Sequence, residues 1–270
     1  MMNKSIITAA AATMMTAAFW NQPVYRRYTV DSNKQVDGLK IVFISDLHNS
    51  SYGEGQKKLF KMIENEKPDL LFFGGDICDE KSHHSPVEIL LKALEGKYPM
   101  YYVSGNHEYW MKNTSKVLQM FRDHGVRVLM DESVVIETAK GCISLLGLKD
   151  PENDLKIADR DVLARSLEAS YDAHEMTGYK ILLSHRPEHI KLYQTYDFDL
   201  ILSGHAHGGQ MRLPFLLNGL YAPNQGFFPK YAGGHHHLDG TDFIISRGLS
   251  FRAKLPRIMN PPELVVITFE

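Results

Sequence analysis

Leu200-Ile201-Leu202-Ser203-Gly204-His205-Ala206-His207-Gly208-Gly209-Gln210 joins a short apolar run to a glycine-framed pair of histidines. The first four residues have the length and composition of a buried strand. The glycines predict a sharp turn at that strand's carboxyl end. Two imidazoles one residue apart on such a turn can converge on a metal ion. Two ligands are only part of a site, so the rest must stand at the ends of other strands.

Working outward, four more apolar runs end in polar residues of the same kind. Leu39 to Ser45 is a β-branched, nearly continuous run ending at Asp46-Leu47-His48. Asp69 to Phe73 ends at Gly74-Gly75-Asp76, and Met100 to Ser104 at Gly105-Asn106-His107-Glu108. Lys180 to Ser184 ends at His185. Such runs predict parallel strands buried on both faces. Helical spacing separates them: Leu59, Met62 and Ile63 before Lys67-Pro68, Pro86 to Leu94, a helix capped by Thr114 over Val117 and Phe121, and Val162 to Ala173. Val126 to Leu129, Val134 to Ile136 and Ile143 to Leu148 predict a second, partly antiparallel sheet region, with Phe243 to Ser246 and Leu264 to Ile267 as later strands. The expectation is one α/β domain over residues 37–270.

In open α/β sheets, sites form beyond the carboxyl ends of the strands. Seven metal-capable side chains therefore point to one region: Asp46, His48, Asp76, Asn106, His185, His205 and His207. Seven is too many for one tetrahedral zinc and suits two ions sharing a carboxylate. Carboxylate, imidazole and amide oxygen favour manganese, iron or zinc, and no thiolate is present in the set.

These motifs, Asp-x-His, Gly-Asp, Gly-Asn-His-Glu, His and Gly-His-x-His after apolar strands, resemble the calcineurin-like metallophosphoesterases. Within that superfamily the chain is similar to the bacterial YkuE/YaeI type of phosphodiesterase, through Ile44 to His48, Ser203 to Gln210 and Ser246-Arg247-Gly248. The resemblance implies a four-layer α/β/β/α fold, two facing mixed β-sheets flanked by helices. It implies Asp46, His48 and His207 on one ion, Asn106, His185 and His205 on the other, and Asp76 bridging. It makes His107 the catalytic residue, stabilising the transition state or protonating the leaving oxygen. The implied cofactors are two metal ions, with manganese favoured. The implied activity is cleavage of a phosphodiester or pyrophosphate bond by metal-activated hydroxide. A phosphomonoesterase or phosphoprotein phosphatase shares the same ligands and stays open; a non-catalytic metal-binding scaffold is a third reading.

Other residues near these motifs admit simpler readings. Glu108 fits either a carboxylate hydrogen-bonded to an imidazole or an ordinary loop residue. His185-Arg186-Pro187-Glu188-His189 matches the H-x-x-E-H of zinc peptidases, but Pro187 starts the helix, so His185 precedes it and cannot share a helical face with His189. His189 is then a surface residue. His83-His84 and His235-His236-His237 read as solvated loop histidines. Arg186, Arg212 and Arg247 fit phosphate clamps or structural roles equally. Cys78 and Cys142 lack zinc spacing and read as buried thiols.

The net charge of −2 gives no electrostatic footprint for nucleic acid. Residues 1–36 are read as an apolar segment and linker outside the fold. The run from Ile6 to Trp20 is short for a spanning helix, which needs ~20 residues. It predicts membrane association as an anchor or uncleaved signal, on an unspecified side; secretion after signal cleavage and a loose tail are the alternatives. Between Pro214 and Gly240, Phe215, Leu216, Leu217, Leu220, Tyr221, Phe227, Phe228 and Tyr231 follow the metal motif directly. Exposed, they would suit a lipid-linked phosphoester; otherwise they pack the loop onto the domain.

Overall fold

The computed structural model describes residues 18–270 apart from 34, 152–159, 173–174, 214–215 and 252–255. Most of the amino-terminal apolar run, and Pro214 and Phe215, lie outside the described residues. Among the described residues no helix is long and apolar enough to cross a membrane.

The chain runs β1 (Val24–Val30), β2 (Lys40–Ile44), α1 (Lys57–Glu66), β3 (Leu70–Gly74), α2 (Ser85–Leu94) and β4 (Met100–Val103). It continues through α3 (Asn106–Tyr109), α4 (Thr114–Asp123), β5 (Val126–Val128), β6 (Glu132–Thr138), β7 (Gly141–Leu148) and α5 (Arg160–Ser170). Then come β8 (Tyr179–Ser184), a 3₁₀ turn (Pro187–His189) leading into α6 (Ile190–Tyr193), and β9 (Leu200–Ser203). The hairpin β10 (Tyr221–Ala222) and β11 (Gly226–Phe227) precedes β12 (Gly234–Leu238), β13 (Thr241–Ile245) and β14 (Glu263–Phe269).

Two six-stranded mixed sheets result, in orders β1-β14-β2-β3-β4-β5 and β12-β13-β9-β8-β7-β6. In the first, β2 to β5 are parallel; in the second, β7, β8, β9 and β13 are. Alternation along each strand assigns its two faces. Ile41 and Phe43 of β2 enter the core between the sheets, with Ile181, Leu183 and Ile244 from the second. Val42 and Ile44 enter the core beneath α1, α2 and α4, with Leu59, Leu90 and Phe121. Leu182 and Ile201 turn outward under α5 and α6. Both faces of the central strands are buried, which is why they read as unbroken apolar runs. The four layers are helix, sheet, sheet, helix.

Three expectations need correction here. Residues 24–30 belong to the domain: β1 pairs in parallel with β14 along the sheet edge, so the linker is shorter than residues 1–36. Its polar side chains mark an edge strand, with Arg26 against Glu263 and Arg27 against Glu66. His235-His236-His237 is no loop but the edge strand β12, where His235 and His237 lie 2.8 and 3.0 Å from Asp242 Oδ1. Cys78 is buried, but Cys142 is only half-buried, at the start of β7.

Candidate metal centre

The parallel strands direct the carboxyl ends of β2, β3, β4, β8 and β9 to one edge of the sandwich. There the strand-end loops bond to one another. Asp46 N–H donates to Gly75 O (3.0 Å) and His48 N–H to Asp76 O (3.0 Å). His205 N–H donates to the Asp46 carboxylate at 3.0 Å, and His107 N–H to Asp76 Oδ1 at 2.9 Å. Across the two sheets, His185 Nδ1 lies 2.7 Å from Gly74 O.

Two glycines let the loops close on Asp46. A Cβ at Gly204 would stand 2.5 Å from Asp46 Oδ2, and one at Gly248, where φ is +74°, 2.5 Å from Asp46 Cβ. The backbone is also bent unusually. Asp46, His48, Asp76, His205 and His207 all have left-handed φ, at 50°, 45°, 52°, 65° and 47°. Outside glycine this conformation is unfavourable and clusters at functional sites.

All seven expected ligand residues meet at this edge. Asp46, His48 and His207 form one group and Asp76, His185 and His205 another; within each, the candidate ligand atoms lie within 4.8 Å of one another. Asp76 also reaches the first group, its Oδ2 lying 3.7 Å from His48 Nε2 and 3.2 Å from His185 Nε2. Asn106 is buried beside them, at the start of α3. His107 closes a third group with His48 and Asp76, so proximity alone would also pass it as a ligand.

The donor set fits metal ions. His48 Nε2, His185 Nε2 and Asn106 Oδ1 are buried with no hydrogen-bond partner among the described residues. Buried polar atoms are rarely left so unless something else satisfies them. Gly74 O takes the Nδ1 proton of His185 and leaves Nε2 with its lone pair. Asn224 Oδ1 at 3.0 Å and Arg186 Nη1 at 3.2 Å both engage His205 Nε2 and turn the ring's other nitrogen toward the site.

The electrostatics agree. Burial, with Asp76 opposing it, lowers the His48 pKa to about 4. Burial and the cationic Arg186 hold His205 well below its usual range; burial, His48 and Arg257 do so for His207. Neutral imidazole is the form that ligates. His185 is the exception: burial opposes its charge, but Asp76 and Asp46 overcome this and push it up to about 10. The carboxylate field that draws a proton there would draw a cation equally. Asp46 is raised to about 6 by burial and by its neighbour Asp76, against the pull of His185.

Glu108 fits neither earlier expectation. Its fully buried carboxylate accepts the backbone N–H groups of Asp76 (2.9 Å), Ile77 (2.8 Å), Cys78 (3.0 Å) and Gly105 (2.8 Å). It therefore locks the β3 and β4 loops together. Burial and Asp76 raise its pKa to about 7, against the pull of these amides.

None of the three candidate arginine clamps lines the site cavity. Arg186 is buried and grips Asp150, with Nε to Oδ2 at 2.6 Å and Nη2 to Oδ1 at 2.9 Å, while Nη1 reaches Asn224 Oδ1 at 3.0 Å. It positions Asn224, which in turn orients His205. Arg212 donates to Gly208 O (3.1 Å), and Arg247 faces Glu263 at 3.4 Å. Asp150→Asn should cost about 2 kcal/mol of stability, because the buried guanidinium loses its closest counter-charge and keeps Glu188 at 3.5 Å; an unchanged urea midpoint would contradict this. His185 directly follows β8 while His189 closes the following 3₁₀ turn, so they share no helical face. His189 is half-buried rather than a surface residue, and burial together with Arg186 lowers its pKa to about 4.

The metal-site cavity, about 220 Å³, is lined by Asp76, Asn106, His107, Trp110, His205, His207, Pro223 and Asn224. Trp110, Asn224, Asp150 and Glu80 escaped notice in the sequence. Glu80 Oε2 lies 2.9 Å from His107 Nδ1. Only Trp110 carried a signal, standing three residues past His107.

The chain is similar to known proteins. The relatives named uncharacterized metallophosphoesterases YkuE and YkoQ, both of Bacillus subtilis, are similar. YkuE is 30% identical over 87% of this chain and 80% of its own length, YkoQ 29% over 84% and 82%. The crystal structure of TT1561 of Thermus thermophilus superposes with a TM-score of 0.52 at 13% identity, covering 79% of this chain and 91% of that one. That likeness concerns the fold alone. The family model for calcineurin-like phosphoesterases matches residues 39–209, the span that carries all seven candidate ligands, and the chain belongs to that family.

Proposed function

We propose that this chain is a two-metal phosphohydrolase that cleaves a phosphodiester or pyrophosphate bond. One observation carries the reading: Asp76 belongs to the His185–His205 donor group and its Oδ2 also lies 3.7 Å from His48 Nε2 of the other, beside a cavity that also holds His107. Asp46, His48 and His207 would hold one ion, and Asn106, His185 and His205 the other, with Asp76 common to both. The mixed oxygen and nitrogen donors suit manganese, zinc or iron, and the carboxylate and amide oxygens make manganese the first choice. When bound, such a pair supplies an activated water and neutralises phosphate oxygens.

His107 does the remaining chemistry. Glu80 accepts its Nδ1 proton and leaves the other ring nitrogen for the leaving group. Glu80 stays ionised: burial raises its pKa, but its own backbone amide and His107 lower it further. As the water oxygen bonds to phosphorus and the bond to the leaving oxygen breaks, that oxygen takes the Nε2 proton of His107 in its imidazolium form. Nδ1–H stays on Glu80, and the proton released by the attacking water restores the imidazolium. His107→Ala should lower kcat by roughly 10²- to 10⁴-fold and keep its metal. Loss of an ion with the activity, by elemental analysis, would instead make His107 a ligand.

Two features support the finer reading. No Lys or Arg lines the cavity among the described residues, which favours a singly charged diester over a monoester of about two charges. Leu216, Phe227 and Phe228 are 86%, 70% and 69% exposed, and Pro223 and Asn224 of the same segment reach the site. With the amino-terminal apolar run, whose end is tied to the domain by Met259 N–H to Ala18 O (2.7 Å), they favour membrane association and a lipid-linked substrate. Secretion after cleavage of that run is the alternative. The test is a panel of monoesters, diesters, nucleotide sugars and phospholipid vesicles with manganese, zinc and iron. Monoester preference would favour a phosphatase, and indifference to lipid would remove the lipid-linked substrate.

A further inference from the structure

Trp110 walls two cavities at once. On one side is the metal-site cavity; on the other lies a larger cavity of about 530 Å³, also lined by Glu80, His84, Met111, Lys112, Lys116 and Met120. We propose that this second cavity is a subsite for the leaving group, taking an aromatic or apolar alcohol that carries an anionic substituent. The proposal rests on the phosphohydrolase reading.

Position argues for the leaving side. The Trp110 ring centroid is 4.3 Å from that of His107, the proton donor to the departing oxygen. Glu80, which orients His107, also lines the larger cavity. The group leaving from His107 therefore has this space beside it.

Size and chemistry argue for the occupant. The metal-site cavity, about 220 Å³, falls short of the range typical of small organic ligands, roughly 300–1,000 Å³, and the second lies within it. The indole, Met111 and Met120 supply adaptable apolar contact. Lys112 and Lys116 are exposed at the wall, and neither makes an ion pair among the described residues. Glu80 is already engaged by His107 and Lys81. Charge complementarity thus places an anionic substituent at the lysines, away from Glu80.

The experiment compares phosphodiesters that differ only in the leaving alcohol: methanol, 4-methylphenol and 4-hydroxyphenylacetate. In parallel, the two free phenols are titrated calorimetrically into the full-length, manganese-loaded protein. The carboxylate-bearing phenol should bind about fivefold tighter than 4-methylphenol, as two exposed ion pairs allow. Lys112→Ala/Lys116→Ala should erase that preference and raise KM for its diester with little change in kcat. Trp110→Leu should weaken both phenols by up to about tenfold. Equal binding of the phenols by wild type and lysine variant, or binding that ignores Trp110, overturns the subsite. Phenol binding without hydrolysis of any ester would sink the phosphohydrolase reading and leave the cavity's ligand class standing. Hydrolysis with no dependence on Lys112, Lys116 or Trp110 would do the reverse.

Discussion

Asp76→Ala should yield a folded protein that retains neither metal ion and hydrolyses phosphoesters at no more than about a thousandth of the wild-type rate. Asp76 is the residue whose carboxylate reaches both donor groups. Without it each group loses an oxygen ligand, and the charge binding the two ions falls by one. A two-metal site contributes several kcal/mol to transition-state stabilisation, hence the thousandfold scale. The fold should suffer less. Removing Asp76 relieves its repulsion of Asp46, but it also takes a counter-charge from His185 and the acceptor from His107 N–H, so a smaller loss of stability accompanies the loss of metal. Alanine does incur a penalty at φ 52°, of about 1 kcal/mol. Asp76→Asn is the companion variant, because asparagine tolerates that backbone and removes only the charge. Elemental analysis and thermal unfolding together decide the matter. Full occupancy of both sites in either variant would overturn the shared-carboxylate assignment.

The second large effect is structural. Glu108→Ala should destabilise the protein by about 5 kcal/mol or more. Four backbone N–H groups end on this one side chain, and each buried donor left unpaired costs about 1–3 kcal/mol. The β3 loop that presents Asp76 would lose its anchor, so metal affinity should fall as well. Glu108→Gln should be intermediate. Its carbonyl oxygen can keep two of the four amides, but its NH₂ group faces the other two, donor against donor. Chemical denaturation gives the stability. Amide exchange at Asp76, Ile77 and Cys78 localises the damage, which should be confined there in the Gln variant. A wild-type denaturation midpoint for Glu108→Ala would show that the four amides find other partners.

The candidate site was largely legible because it depends on a local rule. Buried parallel strands announce themselves as apolar runs, and ligands at their ends are adjacent in sequence to the elements that place them. Asp46, Asp76, Asn106, His185, His205 and His207 could all be located this way. Residues whose roles depend on tertiary geometry were not. Glu108 lies in the same motif as Asn106, yet its work is done on amides some thirty residues earlier. Asp150 and Asn224 act through Arg186, 36 and 38 residues away. β1 was missed because its partner β14 lies at the far end of the chain and its Tyr-Arg-Arg-Tyr sequence lacks the apolar signature of an inner strand. The His235-to-His237 strand was missed for a similar reason: an edge strand needs no apolar outer face, and Asp242 supplies its polar contacts.

The left-handed backbone at Asp46, His48, Asp76, His205 and His207 has an evolutionary and practical consequence. Each of these positions would be more relaxed as glycine. Selecting variants for heat tolerance without assaying turnover should therefore enrich glycine at these candidate ligand positions. Backbone relief at these positions would come at the expense of the proposed metal centre. Any programme to harden this protein has to exclude those five residues from its library and look to the sheet edges and exposed loops.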